Sequence, residues 1–317
     1  MDRRLWATAA LNTAITLAEF VGGLVSGSLA LLSDAAHNLS DVVAVVLALG
    51  ARRLSRRPPT ARHTYGFKRV EVIAALINAV LLIGVTVLIG REAVVRLLHP
   101  EPVSQGKMLV VALVALGANL GSVLLLKRHD KDDVNVRSAF LHMAQDAFAS
   151  LAVVVAALLA RTFVGPYVDA VVALLVGVVV VHSALSLAWQ TVSTILEGAP
   201  RNVDVVELAG RVDQAFAPAR LHHVHVWEFA PGQRLFTAHL TIGQEMNGRD
   251  IESLISRIKR FLHDEWQINH ATIEPEIEGC DHTELLGSWD RAGFRDSTGG
   301  TSPEPHKAKA SEQGTST

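Results

Sequence analysis

The chain reads as an α-helical membrane protein of six spans followed by a small cytoplasmic α+β domain. Three observations predict this. Half of the 317 residues are hydrophobic although 19% are charged, a combination that demands segregation of the two kinds. Through about residue 195 charge is confined between long Ala/Val/Leu runs, and from Pro200 onward it is spread evenly. Six of the apolar runs are long enough, or nearly so, for the roughly 20 helical residues that cross a bilayer.

Those runs are 5–26, 29–51, 72–88, 108–126, 138–160 and 168–189. The first follows Arg3 and Arg4 as a signal peptide would, but it contains Glu19 and leads almost directly into the second, so it reads as a permanent helix. Positive charge orients the spans, because Lys and Arg favour the cytoplasmic side. Arg52, Arg53, Arg56, Arg57, Arg62, Lys68 and Arg69 lie between spans two and three, and Lys127, Arg128, Lys131 and Arg137 between four and five. The other connections are poorer in positive charge, so both termini are expected in the cytoplasm of a cell whose plasma (inner) membrane holds the spans.

Beyond Pro200 the order is helix, strand, strand, helix, strand. Apolar steps of three and four predict a helix over 203–216, and β-rich runs at 222–229 and 235–242 flank the hairpin signal Pro231-Gly232. An amphipathic helix follows over 251–262, and 271–273 begins a last strand. The expected domains are 1–199 in the membrane, 200–286 as an αββαβ domain, and a disordered Ser/Thr/Gly/Pro-rich tail over 287–317. A formal net charge of −2 argues against nucleic-acid binding. Cys280 is the sole cysteine, so no intramolecular disulfide forms.

The second and fifth spans are the least apolar, and their polar residues repeat. His37 and Asp41 are four apart, as are His142 and Asp146, so each pair projects from one helix face. Ionisable groups inside a bilayer cost several kcal/mol unless they meet a partner or a wet cavity. Opposed, the two faces supply two imidazole nitrogens and two carboxylate oxygens, a tetrahedral set for Zn2+. Ala35, Ala36, Ala144 and Ala147 allow close helix approach. Asp34 reads as a helix N-terminal charge rather than an auxiliary ligand. Metal binding requires neutral imidazole and ionised carboxylate, and histidine titrates near neutral pH, so a proton gradient is the expected energy source; no Walker sequence offers another. An intramembrane metalloenzyme is disfavoured, since no His-Glu-x-x-His occurs and four protein ligands leave no position for water. A membrane metal sensor is the remaining alternative, along with a carrier of another divalent cation.

The segments SLALLSDAAHNLSD at 28–41, HTYGFKRVE at 63–71 and HMAQD at 142–146, in this order and spacing, resemble the cation diffusion facilitator family, in particular its zinc-exporting branch. The resemblance implies a homodimer with metallochaperone-like cytoplasmic domains that bind regulatory zinc, and it maps the transport site onto His37, Asp41, His142 and Asp146. Imidazole on both helices is the zinc-preferring pattern, with cadmium or cobalt left open. His223 and His225 share a strand face by alternation, with His239 across the hairpin. The family pattern places cytoplasmic ligands at positions matching His225, His239 and Glu276, with His223, His270, Cys280 and His282 as accessory candidates. Pro275 interrupts the last strand motif, and His63, in a loop that holds metal in some relatives, has a structural role.

Overall fold

A computed structural model describes residues 3–127, 134–160, 162, 165–277 and 284–286. Cys280, His282 and the tail at 287–317 lie outside them. Six long helices come first: α1 (Arg3–Ser26), α2 (Leu29–Ser55), α3 (Val70–Leu98), α4 (Gln105–Lys127), α5 (Val134–Leu159) and α6 (Gly165–Ile195). Then follow α7 (Val205–Ala215), β1 (Arg220–Ala230), β2 (Gln233–Thr241), α8 (Gly248–Trp266) and β3 (Ile268–Glu276). The chain divides into two compact units. One is Met1–Val203 with Val226–Leu235 and Trp266–His270; the other is Asp204–His225, Phe236–Glu265 and Ala271–Thr317.

Among the described residues, Leu29–Ser55, Val70–Leu98 and Tyr167–Ile195 are long and apolar enough to cross a membrane, whereas Thr13–Ser26, Gln105–Gly121 and Met143–Leu159 are shorter apolar helices. α3 and α6 outrun the apolar runs that announce them, because hydropathy marks only the lipid-embedded part and the helix continues through charged turns such as Arg91-Glu92. The first unit is inverted relative to a water-soluble protein. Leu88, Phe148 and Val178 are about two-thirds exposed or more (67%, 72% and 67%), while Glu19, Asp34, Asn38, Asn119, Asp146 and Ser150 are buried. Apolar side chains facing out and polar ones facing in suit a hydrocarbon solvent.

Small residues set the close packing of the helices. Ala30, Ala93, Ala112, Ala156, Ala170 and Ala173 form much of one buried cluster, and a Cβ on Gly22 of α1 would sit 2.6 Å from a Val111 methyl of α4. α3 packs on α6, α4 on α5, and α2 touches α1, α3, α5 and α6. Gly27, with φ at +72°, supplies the left-handed turn that reverses the chain between α1 and α2. The α2 N-terminus begins at Ser28, whose hydroxyl accepts from the Leu31 amide at 3.1 Å.

In the second unit, Asp204 caps α7 by accepting from Val206 and Glu207 amides. Asn247 accepts from Arg249 and Asp250 amides, which starts α8 three residues before the apolar periodicity does. The three strands form one sheet in the order β1-β2-β3. β3 runs through Pro275, contrary to the expected interruption. It is an edge strand, where a missing N–H can face away from the ladder.

Candidate metal centre

α2 presents His37 and α5 presents Asp146, and the His37 Nε2 lies 3.7 Å from Asp146 Oδ1. Two zinc ligands with bonds near 2.0–2.1 Å at a tetrahedral angle lie about 3.4 Å apart, so this separation is close to what a shared ion requires. Asp146 is buried and the His37 side chain is 23% exposed. Asp41, one turn further along α2, is half-buried. His142 lies in α5 one turn before Asp146, and its side chain is outside the described residues. α2 and α5 are in contact, and Ala35 of α2 and Ala147 of α5 are buried.

Behind this pair lies a polar lattice that no local sequence signal announces. Asn38 donates to Glu19 of α1 at 2.8 Å. Ser150 of α5 donates to Asp34 at 3.2 Å and receives a bond from Asn119 of α4 at 3.0 Å. Asp34 is thus not the N-terminal charge that the sequence suggests. It sits six residues inside α2 and is tied to α5, so that α1, α2, α4 and α5 are joined around the residues that flank His37 and Asp146.

The charge at the α2 N-terminus comes instead from α6. The Asp169 carboxylate, buried, accepts from Ser28 Oγ at 2.5 Å, from the Leu29 amide at 2.7 Å and from the Ala30 amide at 3.3 Å. A carboxylate here satisfies amides that have no partner inside the helix and complements the helix dipole. Asp169→Ala is therefore expected to lower stability by about 3 kcal/mol, the scale of losing charged hydrogen bonds while burying orphaned donors. Thermal unfolding in detergent checks this, with Asp169→Asn, which keeps one acceptor oxygen, falling between variant and wild type.

The second unit carries a separate cluster. The donor atoms of His222, His239 and Glu276 lie within 4.8 Å of one another. Glu276 is shared: its Oε2 is 2.9 Å from His222 Nε2 and its Oε1 is 2.6 Å from His239 Nδ1. The His223 ring centroid lies 4.9 Å from that of His239 and 5.5 Å from that of His222. Successive strand residues point to opposite faces, yet His222 and His223 flank the same imidazole. The reason is backbone: His223 has φ at +50°, a left-handed kink that re-aims its neighbour. Alternation pairs His223 with His225 and passes over His222, and the dipeptide His222-His223 is the only trace the sequence holds. His225 is half-buried in β1, close enough for its charge to act on His223, but outside the three-residue cluster. His270 is exposed on β3. The chain re-enters beside β1 at Glu284 and Leu285, whose carbonyls accept from the His223 and Val224 amides.

Burial, reinforced by the neighbouring His239 and His222 charges, holds the His223 imidazole below the usual histidine range. That favours the neutral form of this ring, the form that binds metal. His63, by contrast, closes a turn with Thr60 by backbone bonds in both directions and lies against Phe67. Arg69 pairs with Glu197 at 2.8 Å and covers Phe229, while Glu71 accepts from Ser55.

The sequence profile of the cation efflux transmembrane domain matches residues 5–196. The chain is 39% identical over 280 residues to the zinc transporter ZitB of Escherichia coli, covering 88% of each protein. It is 33% identical over 283 residues to the metal cation efflux system protein CzcD of Cupriavidus metallidurans, covering 89% of each. A cadmium, cobalt and zinc/H(+)-K(+) antiporter of Bacillus velezensis is 30% identical over 276 residues, 86% of this chain and 88% of that protein. These relatives are named as transporters and not as enzymes. The chain belongs to the cation efflux family, the cation diffusion facilitators.

Proposed function

We propose that the protein is a six-span secondary transporter that exports Zn2+ from the cytoplasm in exchange for protons, working as a homodimer by alternating access with both termini in the cytoplasm. His37, Asp41, His142 and Asp146 hold the transported ion. The observation that carries this reading is the approach of His37 on α2 to Asp146 on α5 at 3.7 Å inside a bundle otherwise faced with hydrocarbon. The zinc transporter ZitB and the cadmium, cobalt and zinc antiporter supply the cargo class and the counter-ion by likeness. The donor set favours zinc: imidazole nitrogen with carboxylate oxygen suits a borderline ion, whereas harder ions prefer oxygen alone. A broader cargo including cadmium and cobalt is the second reading, favoured by the likeness to CzcD and the antiporter.

The mechanism follows from the protonation states. Neutral imidazoles and ionised carboxylates accept the ion on the cytoplasmic side. Protons arriving from outside occupy the same lone pairs, so metal leaves as protons bind, and the loaded carrier returns without ATP. Uptake of zinc, cadmium, cobalt and manganese into proteoliposomes under a controlled proton gradient tests the reading. Zinc should lead and manganese should trail; manganese moving as fast as zinc would contradict it.

The cytoplasmic cluster is proposed as a regulatory zinc site made of His222, His239 and Glu276 with His223, and with His225, His270, Cys280 and His282 as further candidates. Its test keeps the full chain and removes the membrane site with Asp41→Ala and Asp146→Ala. Calorimetry should then still detect zinc binding that is lost in His239→Ala. Acidification below about pH 6.5, where histidine takes up protons, should weaken it. His223 stays neutral to lower pH than an ordinary histidine, because its pKa is lowered by burial. Unchanged heat in His239→Ala would refute the cluster as a site.

A further inference from the structure

The segment that leaves the membrane after α2 carries more positive charge than orientation needs. From 42 to 70 there is no Asp or Glu. Arg52, Arg53, Arg56, Arg57 and Arg62 are all exposed. Among the described residues none of these five guanidinium groups is paired with a carboxylate, whereas Arg69, Arg96 and Arg211 all are.

Their depth identifies what they face. The apolar run starts at Leu29, just after the Gly27 turn, and α2 runs unbroken from Leu29 to Ser55. At 1.5 Å per residue, Arg52 lies about 34 Å along the axis, just past a hydrocarbon core about 30 Å thick and inside the headgroup layer. Arg52 and Arg56, and likewise Arg53 and Arg57, are one turn apart, so the two pairs flank one another at the end of the span. Pro58-Pro59 follows at once and ends the helix there. Guanidinium forks bind phosphate oxygens in a bidentate manner that ammonium groups do not.

We propose that Arg52, Arg53, Arg56 and Arg57 form a binding site for the phosphate headgroups of anionic phospholipids, clamping the end of α2 to the leaflet. This goes beyond topogenesis, for which any positive side chain suffices. It is also independent of the transport reading, since it concerns lipid retention and not flux.

The test is native mass spectrometry of the full chain purified in detergent and exposed to equimolar phosphatidylglycerol and phosphatidylcholine. Wild type should retain phosphatidylglycerol at least about fivefold over phosphatidylcholine, the size of one surface arginine's attraction to an anionic leaflet. The preference should vanish when all four arginines become Gln, in protein whose detergent melting point is unchanged. Where that variant does not insert, the fourfold Arg→Lys variant keeps the orienting charge, and it should hold at least about twofold less phosphatidylglycerol because the bidentate forks are gone. Excess inorganic phosphate should leave the bound lipid in place. No preference in wild type, undiminished preference in both variants, or displacement of the lipid by inorganic phosphate would overturn the assignment.

Discussion

Asp146→Ala is expected to abolish zinc flux while leaving the protein folded and inserted. Asp146 is buried and faces His37 across the α2–α5 contact, and in the proposed four-donor set no ligand is spare. Loss of an outer-shell partner alone costs 10–100-fold in metal affinity, so loss of a ligand should reduce flux by more than about 100-fold. Stability should survive, because the hydrogen bonds among Asp34, Ser150 and Asn119 continue to join α2, α4 and α5. The measurement is zinc movement in proteoliposomes beside a detergent melting curve. Asp41→Ala should behave in the same way. A dead carrier that no longer melts cooperatively would point to a structural role instead, and full flux in both variants would remove the site.

The second large effect is energetic. In vesicles whose lumen corresponds to the outside of the cell, an acidic lumen should drive zinc in, and an alkaline lumen should drive it out. If one proton is exchanged per zinc, each unit of pH difference is worth about 1.4 kcal/mol, or about tenfold in the zinc ratio sustained at equilibrium. Two protons would square that factor. A protonophore should collapse the accumulated zinc toward the ratio set by any remaining membrane potential. Zinc movement indifferent to the imposed gradient would mark a facilitated channel.

The two levels at which the sequence can be read fared differently, and the reason is distance. Helical order was legible because apolar length and i, i+4 spacing are local: the runs at 29–51 and 72–88 announce α2 and α3, and His37 with Asp41 fall on α2 as His142 with Asp146 fall on α5. The strands beyond Pro200 were legible for the same reason, since β-rich runs mark β1 and β2 and the Pro231-Gly232 turn lies between them. What stayed hidden depends on partners far apart or on a single torsion. Asp169 caps α2 from about 140 residues away, and nothing around it distinguishes it from a boundary charge. Asp34 looked like a helix-start residue until Ser150 claimed it. His222 was passed over because period-two alternation assumes an extended strand, and one left-handed residue at His223 breaks that assumption.

The central claim is that α2 and α5 share one cation. X-ray absorption on the zinc-loaded full chain, with the cytoplasmic cluster disabled by His239→Ala, measures it most directly. The account predicts a single zinc with four nitrogen or oxygen ligands at about 2.0–2.1 Å, imidazole scattering that is halved by His37→Ala, and loss of the bound ion in Asp146→Ala. A zinc shell that is unchanged by both substitutions would contradict it.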